Sequence, residues 1–397
     1  MLYRNKQGYT LVELIVVMGI FLTIIMISAQ AFERITDRSA QQSKSVETQI
    51  EGIVGLEVLR ADLEQTGFGL PWSFSVPGFT YNEALASGDN SLTSSVRLSG
   101  TNPSTFNDSP NAPRPVISGN TTFNQDGGVG SNYLVIKSML AAANDTSKKW
   151  TTISYDTYGF RTRRVWGASD RDFLATDRVI ILKNSLKSTP PTRELAVSGT
   201  PPSATTFSGT FSAYSTPGSH QSGDTFVIYG VDPDNNLQMP FNRADYYVAK
   251  PARMPQDCAS TGVGILYKST VSHVAGRLSI GTPLLDCVAD MQVVYGVDAS
   301  GNGMSYSDPN YHTTDLSGYD ATRLRNELKA IRVYILAQEG GKDRFYSYPS
   351  PTITVGESFG GALQGRVFNL LNLIGPDYKY YRWKVYTIVV RPKNLFQ

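Results

Sequence analysis

The stretch that decides the fold lies near the N-terminus and reads KQGYTLVELIVVMGIFLTIIMISAQAF, from Lys6 to Phe32. Nineteen consecutive residues, Leu14 to Phe32, carry no charge and are mostly large and apolar. As a helix they span roughly 28 Å, which matches the ~30 Å hydrocarbon core of a bilayer. Arg4 and Lys6 precede the run, and basic flanks of this kind stay in the cytoplasm. The pattern predicts one membrane-spanning helix with a cytoplasmic N-terminus.

A secretory signal that is removed whole is the main alternative for this segment. The apolar region of such a signal is roughly 7–15 residues long and ends at a site with small residues. Here the apolar run is longer, and residues 29–38 (AQAFERITDR) continue as a charged, helix-compatible sequence. We therefore expect the segment to be retained as an anchor.

The helix is expected to extend well beyond the membrane. No proline occurs between Glu33 and Gln65, and apolar residues recur there within an arc of roughly 140° on a helical wheel. These residues are Val46, Ile50, Ile53, Leu56 and Leu63. Two glycines and Pro71 then supply a stop signal. We predict one helix from Tyr9 to about Thr66, roughly 85 Å long, whose distal half packs against a globular domain.

The composition indicates that the rest of the chain is β-rich and poor in charge. The 397 residues include 35 Gly, 21 Pro and 22 Tyr, whereas only 18% are charged. Such a mixture favours short strands and loops over helix bundles. The formal charge of +2 argues against a general polyanion binder, and three His with two Cys offer little material for a metal cluster. We expect no catalytic residue, no cofactor and no metal site.

Alternating apolar residues predict antiparallel strands in the last third of the chain. The clearest runs lie at Met291–Val297, Ile331–Ala337 and Trp383–Val390. Period-two alternation with one mixed face indicates a sheet with one side on the long helix. Further strands are expected at Tyr133–Met139, Arg178–Lys183, Thr225–Val231, Tyr246–Ala249 and Gly264–Lys268. The fold class is therefore α+β, with a long N-terminal transmembrane helix packed on an antiparallel β-rich domain.

One acidic residue interrupts the apolar edge of the helix, because Glu13 lies in the string KQGYTLVELIVV. A carboxylate in the membrane costs roughly 3 kcal/mol, so it needs a functional reason. The string resembles the class III signal of type IV prepilins, in which a short basic leader ends in Gly, an aromatic residue follows, and Glu is the fifth mature residue. The resemblance implies that prepilin peptidase cuts between Gly8 and Tyr9, that Tyr9 becomes N-methylated, and that Glu13 docks on a neighbouring subunit.

The C-terminal third resembles minor pilins of the PilW type. The resemblance lies in Cys287–Asp298 (CVADMQVVYGVD), in the strand around Arg332–Ala337, and in Trp383–Asn394 (WKVYTIVVRPKN). It implies a minor, low-copy type IV pilin that primes pilus assembly or enters the pilus near its tip. The implied partners are the major pilin, other minor pilins, prepilin peptidase, the inner-membrane assembly platform and membrane lipid, with no nucleic acid expected.

The same resemblance implies a location and a division of the chain. The protein is expected to cross the inner membrane once, with its C-terminal domain in the periplasm, and then to enter the pilus at the cell surface. The leader is residues 1–8, the transmembrane and assembly helix 9–32, and its periplasmic half 33–66. Residues 67–255 are a loop-rich β region and an insertion candidate, with an exposed loop at 185–224, and residues 256–397 form the C-terminal sheet region.

Three other functions stay open at this point. A type II secretion pseudopilin shares the N-terminal chemistry but serves a different machine. A pilus-tip adhesin or binding module would use residues 67–255 as its recognition surface. A membrane-tethered periplasmic enzyme is disfavoured, because the sequence offers neither a catalytic triad nor a set of metal ligands.

Cys258 and Cys287 are the only cysteines in the chain. In an exported domain, two cysteines near predicted strand edges favour a disulfide, worth roughly 3–4 kcal/mol on the chain-entropy model. Two unrelated buried thiols are the alternative.

Two motifs that could carry chemistry are interpreted as ordinary structure. The segment Gly356–Gly360 (GESFG) fits the G-x-S-x-G nucleophile elbow, but that motif needs a later His as its base. All the histidines precede it, so we interpret the segment as a turn; they are His220, His273 and His312. The second motif combines Arg161, Arg163, Arg164 and Trp166. It could hold phosphates beside an aromatic ring, but we interpret it as a solvated strand face.

Overall fold

The structure is a computed structural model that describes most of the chain. The described residues are 10–86, 96–97, 101–156, 159–161, 164–185, 192–196, 205–206, 222, 224–299, 301 and 308–395. The helices are α1 (Leu11–Glu64), α2 (Ala321–Glu327) and α3 (Leu370–Leu373). Strands β1–β9 are Ser73–Phe74, Val96–Arg97, Val116–Asn120, Asn132–Ser138, Trp150–Asp156, Gly159–Arg161, Arg178–Ser185, Thr192–Leu195 and Thr205–Thr206. Strands β10–β18 are Thr225–Asp232, Asn242–Pro251, Gly264–Thr270, Thr282–Val297, His312–Thr313, Leu328–Glu339, Thr352–Phe359, Ala362–Asn369 and Arg382–Val390.

Helix α1 runs without interruption for 54 residues, about 80 Å. It begins after Thr10, whose side chain caps the first turn, and it ends at Glu64, just before Gly67 and Gly69 take left-handed backbone angles. The predicted helix is confirmed to within two residues at each end, although Tyr9 lies outside the described residues.

A nine-stranded sheet, here called the large sheet, receives the distal end of α1. Its strand order is β18-β15-β13-β12-β11-β4-β3, with β14 beside β13 and β2 beside β11. The pairings are antiparallel, and β11 pairs with β12, so the sheet draws strands from both sides of residue 255.

The residues predicted to face the helix do so in the large sheet. The core that contains Leu56, Leu59 and Leu63 of α1 includes one set of alternating residues from β13 and one from β15. These are Met291, Val293, Tyr295 and Val297, together with Ile331, Val333, Ile335 and Ala337. The opposite face of the sheet is covered near β15 and β18 by the hairpin β16–β17 and by α3.

A second sheet, here called the small sheet, lies at the C-terminal end of α1. Its strand order is β1-β8-β7-β10-β5-β6, with β9 beside β7. Its core includes Leu70, only six residues after the helix ends, and the Met139 amide donates a hydrogen bond to the Phe68 carbonyl. The small sheet therefore sits at the end of the molecule opposite the apolar half of α1.

A buried charge network ties Glu83 and Asp108 to the large sheet. The Lys137 ammonium on β4 contacts Glu83 at 2.7 Å and Asp108 at 2.5 Å, and all three side chains are buried. Arg243 on β11 pairs with Asp245 at 2.7 Å. Each buried ion needs its partners, because a buried charge left without a counter-charge is strongly destabilising, so the network fixes the positions of Glu83 and Asp108 on the sheet.

Three sequence interpretations are corrected by the fold. Thr192–Leu195 was expected to be part of a loop, but it forms strand β8 and pairs with β7. The backbone hydrogen bonds to β7 compensate for the polar composition of this segment. Most of Gly356–Gly360 lies on β16, so the interpretation as a turn is wrong. Gly356 faces Gly365 on β17, and a Cβ on Gly356 would lie 2.0 Å from the Gln364 carbonyl oxygen. The glycine marks a close approach of two strands.

The third correction concerns which face of α1 is buried. Val46 and Ile53 were expected on the buried face, yet they are 53% and 58% exposed. The sheet contacts the last turns of the helix through Gly52, Gly55 and the leucines that follow. Because Gly52 and Gly55 have no side chains, the helix backbone approaches β13 closely on the face that carries them. Ile53 lies on another face of the helix and stays exposed.

Candidate assembly site on the long helix

The first half of α1 is apolar and unburied. Leu11–Thr36 is long and apolar enough to cross a membrane, and 0% of its most apolar window is buried within the chain. A bare apolar surface of this length is not stable in water, so it requires lipid or other apolar helices around it.

Glu13 begins this segment in a capping box with Thr10. The Thr10 hydroxyl accepts the Glu13 amide at 3.3 Å, while the Glu13 carboxylate accepts the Thr10 amide and hydroxyl, each at 2.9 Å. Such reciprocal bonds satisfy two amides that lack partners at a helix start. The carboxylate therefore has a local partner that the sequence analysis did not identify.

The expected cleavage site precedes this box directly. Gly8 and Tyr9 lie outside the described residues, so the cut and the methylation stay predictions. The helix begins at Leu11, two residues after the expected mature N-terminus.

The distal half of α1 contacts β13 at very short range. A Cβ on Gly55 would lie 1.8 Å from the Leu284 carbonyl oxygen, so the helix touches the strand backbone at that point. Only glycine allows this approach. At Gly52 the nearest atom is the Leu285 Cδ1, at 2.9 Å, which belongs to a flexible side chain.

An ion pair fixes the same part of the helix to the sheet. The Asp62 carboxylate accepts hydrogen bonds from the Lys268 ammonium on β12 and the Tyr246 hydroxyl on β11. Burial nevertheless raises the pKa of Asp62 above its usual range, since it outweighs both donors. At the helix end, Glu64 pairs with Lys393, whose amide also donates to the Glu64 carbonyl at 3.1 Å.

An apolar groove runs beside this contact. It has a volume of about 540 Å³ and is lined by Val54, Val58, Leu284 and Leu285, among others. Val54 is 64% exposed, so the helix carries apolar surface that its own domain does not cover.

The predicted disulfide is confirmed. Cys258 and Cys287 are bonded, with Cα atoms 5.1 Å apart. Cys287 lies on β13 with a φ of 55°, where the pairing register with β12 and β15 shifts. The bond joins the β11–β12 connection to a bulged part of β13.

The catalytic motif does not have the surroundings of a nucleophile elbow, although the His312 ring lies beside its Phe359. Ser358 lies on a strand that turns into another strand, whereas a nucleophile elbow needs a helix. His273 is buried, and its Nε2 lies 3.0 Å from the Asn242 Oδ1 in a hydrogen bond. The His312 ring stacks on the Phe359 ring, with 3.5 Å between the ring centres. His220 lies outside the described residues. Within the described part of the chain, no group of three His, Cys, Asp or Glu could hold a metal ion.

The arginine motif forms an exposed aromatic cluster at the edge of the small sheet. The Arg164 guanidinium lies 3.9 Å from the centre of the Trp166 ring, which packs edge-on against Trp150 at 5.3 Å. Arg164 itself is exposed, Arg161 is on β6, and Arg163 lies outside the described residues.

Two family models match the chain. A prokaryotic N-terminal methylation motif matches residues 3–29, which include the capped start of the apolar helix. A model described as type IV pilus-assembly protein W matches residues 245–394, the part that contains β12 to β18. Together the matches support a PilW-like type IV pilin. No curated protein and no solved structure matches the chain.

Proposed function

We propose that the protein is a minor type IV pilin that enters or primes the pilus near its tip. The observation that carries this proposal is the division of α1. One uninterrupted helix has an apolar half with no partner inside the chain and a distal half in the core of the large sheet. Such a helix can anchor the domain in a membrane and later pack against other helices of the same kind.

Before assembly, the protein is proposed to be inserted in the inner membrane. The N-terminus lies in the cytoplasm and the domain in the periplasm, in keeping with the basic residues before the helix. Prepilin peptidase cuts between Gly8 and Tyr9, and Tyr9 is N-methylated. The match to the methylation motif supports this step, since it spans both residues.

Glu13 is proposed to dock the subunit through its charge. Its carboxylate lies at the edge of an apolar segment, where a free cation would be attracted strongly. The N-terminal amine of a neighbouring pilin supplies that cation, and the pairing sets the axial position of the incoming subunit. Thr10 holds the carboxylate in place until docking.

The small sheet supports a position near the tip and a low copy number. It extends the molecule at the end of α1 farthest from the membrane segment. A subunit inside a helical filament has neighbours at that end, whereas a subunit at the tip has none. The partners are then the major pilin, other minor pilins and the assembly platform, and the groove at Val54 and Val58 is a surface for a neighbouring helix.

Mass spectrometry of sheared pili tests this proposal. We expect a peptide that begins at N-methyl-Tyr9, at a small fraction of the amount of the major pilin. The matched variant Gly8→Asp should leave the leader on the protein and keep it in the membrane fraction. Detection of an intact Met1 in assembled pili, or an amount equal to the major pilin, contradicts the proposal. Association with a secretion channel instead of pili would favour a pseudopilin.

A second candidate function is a binding module at the pilus tip. The cluster of Trp150, Trp166 and Arg164 favours it, because Trp150 is 37% exposed and the neighbouring Val165 is 60% exposed. Exposed aromatic and apolar side chains together mark interaction surfaces. Trp166→Ala should then reduce adhesion of piliated cells without reducing their number of pili.

A further inference from the structure

Two arginines from different parts of the fold meet at one tryptophan. Trp72 precedes β1, and its amide donates a hydrogen bond of 2.8 Å to the Arg193 carbonyl on β8. The Arg193 guanidinium lies 5.0 Å from the Trp72 ring centre, and that of Arg325, on α2, lies 4.3 Å from it. The small sheet and the α2 region thus each contribute one cation to this point.

Neither guanidinium has a hydrogen bond or an ion pair among the described residues, although both arginines are partly buried. Donors that are partly removed from water without a partner are costly, and two like charges near each other add repulsion. Burial lowers the pKa of both groups, and Arg193 lowers that of Arg325 further, whereas Tyr229 raises the pKa of Arg193 and Asp320 raises that of Arg325. Both groups stay charged at neutral pH, since a guanidinium does not lose its proton in proteins.

We propose that Arg193 and Arg325, beside Trp72, form a binding site for an oxyanion of the phosphate class. Two guanidinium forks offer parallel N–H donors, the arrangement that binds phosphate oxygens. A phosphate carries a charge of about −1.5 to −2, which balances two arginines, whereas one carboxylate balances one. The site is separate from the assembly helix and does not depend on the pilin assignment.

A single anion can bridge the two guanidinium groups only if they approach the Trp72 ring from the same side. The two distances to the same ring centre limit the guanidinium carbons to at most about 9 Å from each other. Charge-assisted bonds of about 2.8 Å place a phosphorus about 4 Å from each guanidinium carbon. A shallow pocket of about 20 Å³, lined by Pro71, Trp72, Ala321 and Arg325 among others, opens beside Arg325; Arg193 is not part of its lining, so a bound phosphate would require this surface to open further.

A bound anion would join two parts of the fold. Arg193 belongs to the small sheet, while Arg325 belongs to α2, which leads directly into β15 of the large sheet. Binding should therefore stabilise the position of the small sheet against the large sheet. A ligand that binds only the folded state stabilises it by RT ln(1 + L/Kd), where L is the ligand concentration, so the unfolding temperature rises with that concentration.

Thermal unfolding of the full chain in neutral detergent tests the site. We expect inorganic phosphate to raise the unfolding temperature, with a logarithmic dependence on concentration above the Kd, compared with chloride at equal ionic strength. Arg193→Gln and Arg325→Gln should each weaken the apparent affinity about tenfold or more. The matched control Arg253→Gln removes an exposed arginine elsewhere and should leave the response unchanged.

Two further probes identify the source of the phosphate. A short oligothymidylate carries phosphodiesters, and micelles with added phosphatidylglycerol carry lipid phosphates. A rise in unfolding temperature with any probe that requires both arginines supports the site and identifies its ligand. A missing response to all three probes overturns the proposal, and so does a response that the double variant retains.

Charge-retaining variants separate binding from a purely structural role. Arg193→Lys and Arg325→Lys keep the charge near Trp72 but lose the fork, so they should fold and bind phosphate more weakly. If the arginines only support Trp72, the variants will lower the unfolding temperature equally with and without phosphate. That outcome also overturns the proposal, and it can be read even if a glutamine variant fails to fold.

Discussion

Asp62 on α1 and Lys268 on β12 form an ion pair that is largely shielded from water, with side-chain exposures of 13% and 11%. The Tyr246 hydroxyl donates to the same carboxylate. Because burial still raises the pKa of Asp62, the removal of the carboxylate from water costs more than its two donors return. The pair therefore fixes the rotation and height of the helix on the sheet more than it stabilises the fold.

Removal of one partner of this pair should be costly. Asp62→Ala leaves the Lys268 ammonium buried without a counter-charge, and we expect a loss of about 3–5 kcal/mol in the free energy of unfolding. The double variant Asp62→Leu with Lys268→Met removes both charges and should lose much less. Denaturant unfolding of the full chain in detergent measures both. Equal losses in the two variants would mean that the charges are not the cause.

Gly55 should tolerate no side chain. Gly55→Ala places a methyl group against the Leu284 carbonyl, so the helix must move, and we expect a loss of about 2–3 kcal/mol. Gly52→Ala meets only the movable Leu285 side chain, and Gly19→Ala meets nothing within 4 Å. Both controls should stay within about 1 kcal/mol of the wild type, because alanine also favours the helix. A Gly55→Ala protein as stable as these controls would contradict the close contact.

The disulfide should stabilise the domain without any effect on membrane insertion. Its partners are 29 residues apart, so reduction should lower the free energy of unfolding by about 3–4 kcal/mol. The double variant Cys258→Ser with Cys287→Ser should show the same loss and no further response to reductant. Thiol labelling of the native, oxidised protein checks the bond directly, since labelled cysteines would mean that it is absent.

His273 should make the domain acid-sensitive. Burial lowers its pKa to about 4 even though Asp232 acts in the opposite direction. Between about pH 6.5 and 4, His273 binds a proton in the unfolded chain but stays neutral in the folded protein. Stability should therefore fall as the pH falls through this window, by up to about 3 kcal/mol.

The variant His273→Gln isolates this effect. Glutamine can still donate a hydrogen bond to Asn242, but it does not titrate, so its stability should change less over the same window. Asp62 and Asp290, whose pKa values are raised by burial, are present in both proteins and cancel in the comparison. Parallel pH profiles of the wild type and the variant would rule out His273 as the source.

Glu13 has two roles that substitutions can separate. Glu13→Gln keeps the hydrogen bonds of the capping box but removes the charge, whereas Thr10→Ala breaks the box and keeps the charge. If docking depends on charge, Glu13→Gln should reduce incorporation into pili about tenfold or more, and Thr10→Ala should reduce it little. Quantification in sheared pili measures this, with cleavage at Gly8 as the control. The reverse order of effects would assign Glu13 to helix capping alone.

The sequence predicted the elements whose patterns are local. The apolar run and the position of Gly67 defined α1, and alternation at Met291–Val297 and Ile331–Ala337 identified both the strands and their helix-facing sides. These signals depend on neighbours in sequence, which is why a single chain reveals them.

Long-range contacts left no such signal. The small sheet joins β5 to β10 and β7 to β8, and no pattern in Trp150–Asp156 or Thr192–Leu195 announced those partners. Asp62 and Lys268 are 206 residues apart, and either would pass for an ordinary surface charge in the sequence. No sign of the Gly55 contact is present in the sequence, because a glycine within a helix normally indicates only a less stable helix. Its role becomes visible once the Leu284 backbone is seen to lie against it.

Tension along the helix gives the position of the disulfide a mechanical meaning. Because α1 is continuous, a pull on its apolar half reaches the domain through the last turns of the helix, where Gly55 and Gly52 contact Leu284 and Leu285 of β13. Cys287 lies two residues farther along that strand and is bonded to Cys258. A force that separated β13 from its neighbours would soon be opposed by the disulfide. The part of β13 that receives the force is therefore held by a covalent bond as well as by hydrogen bonds.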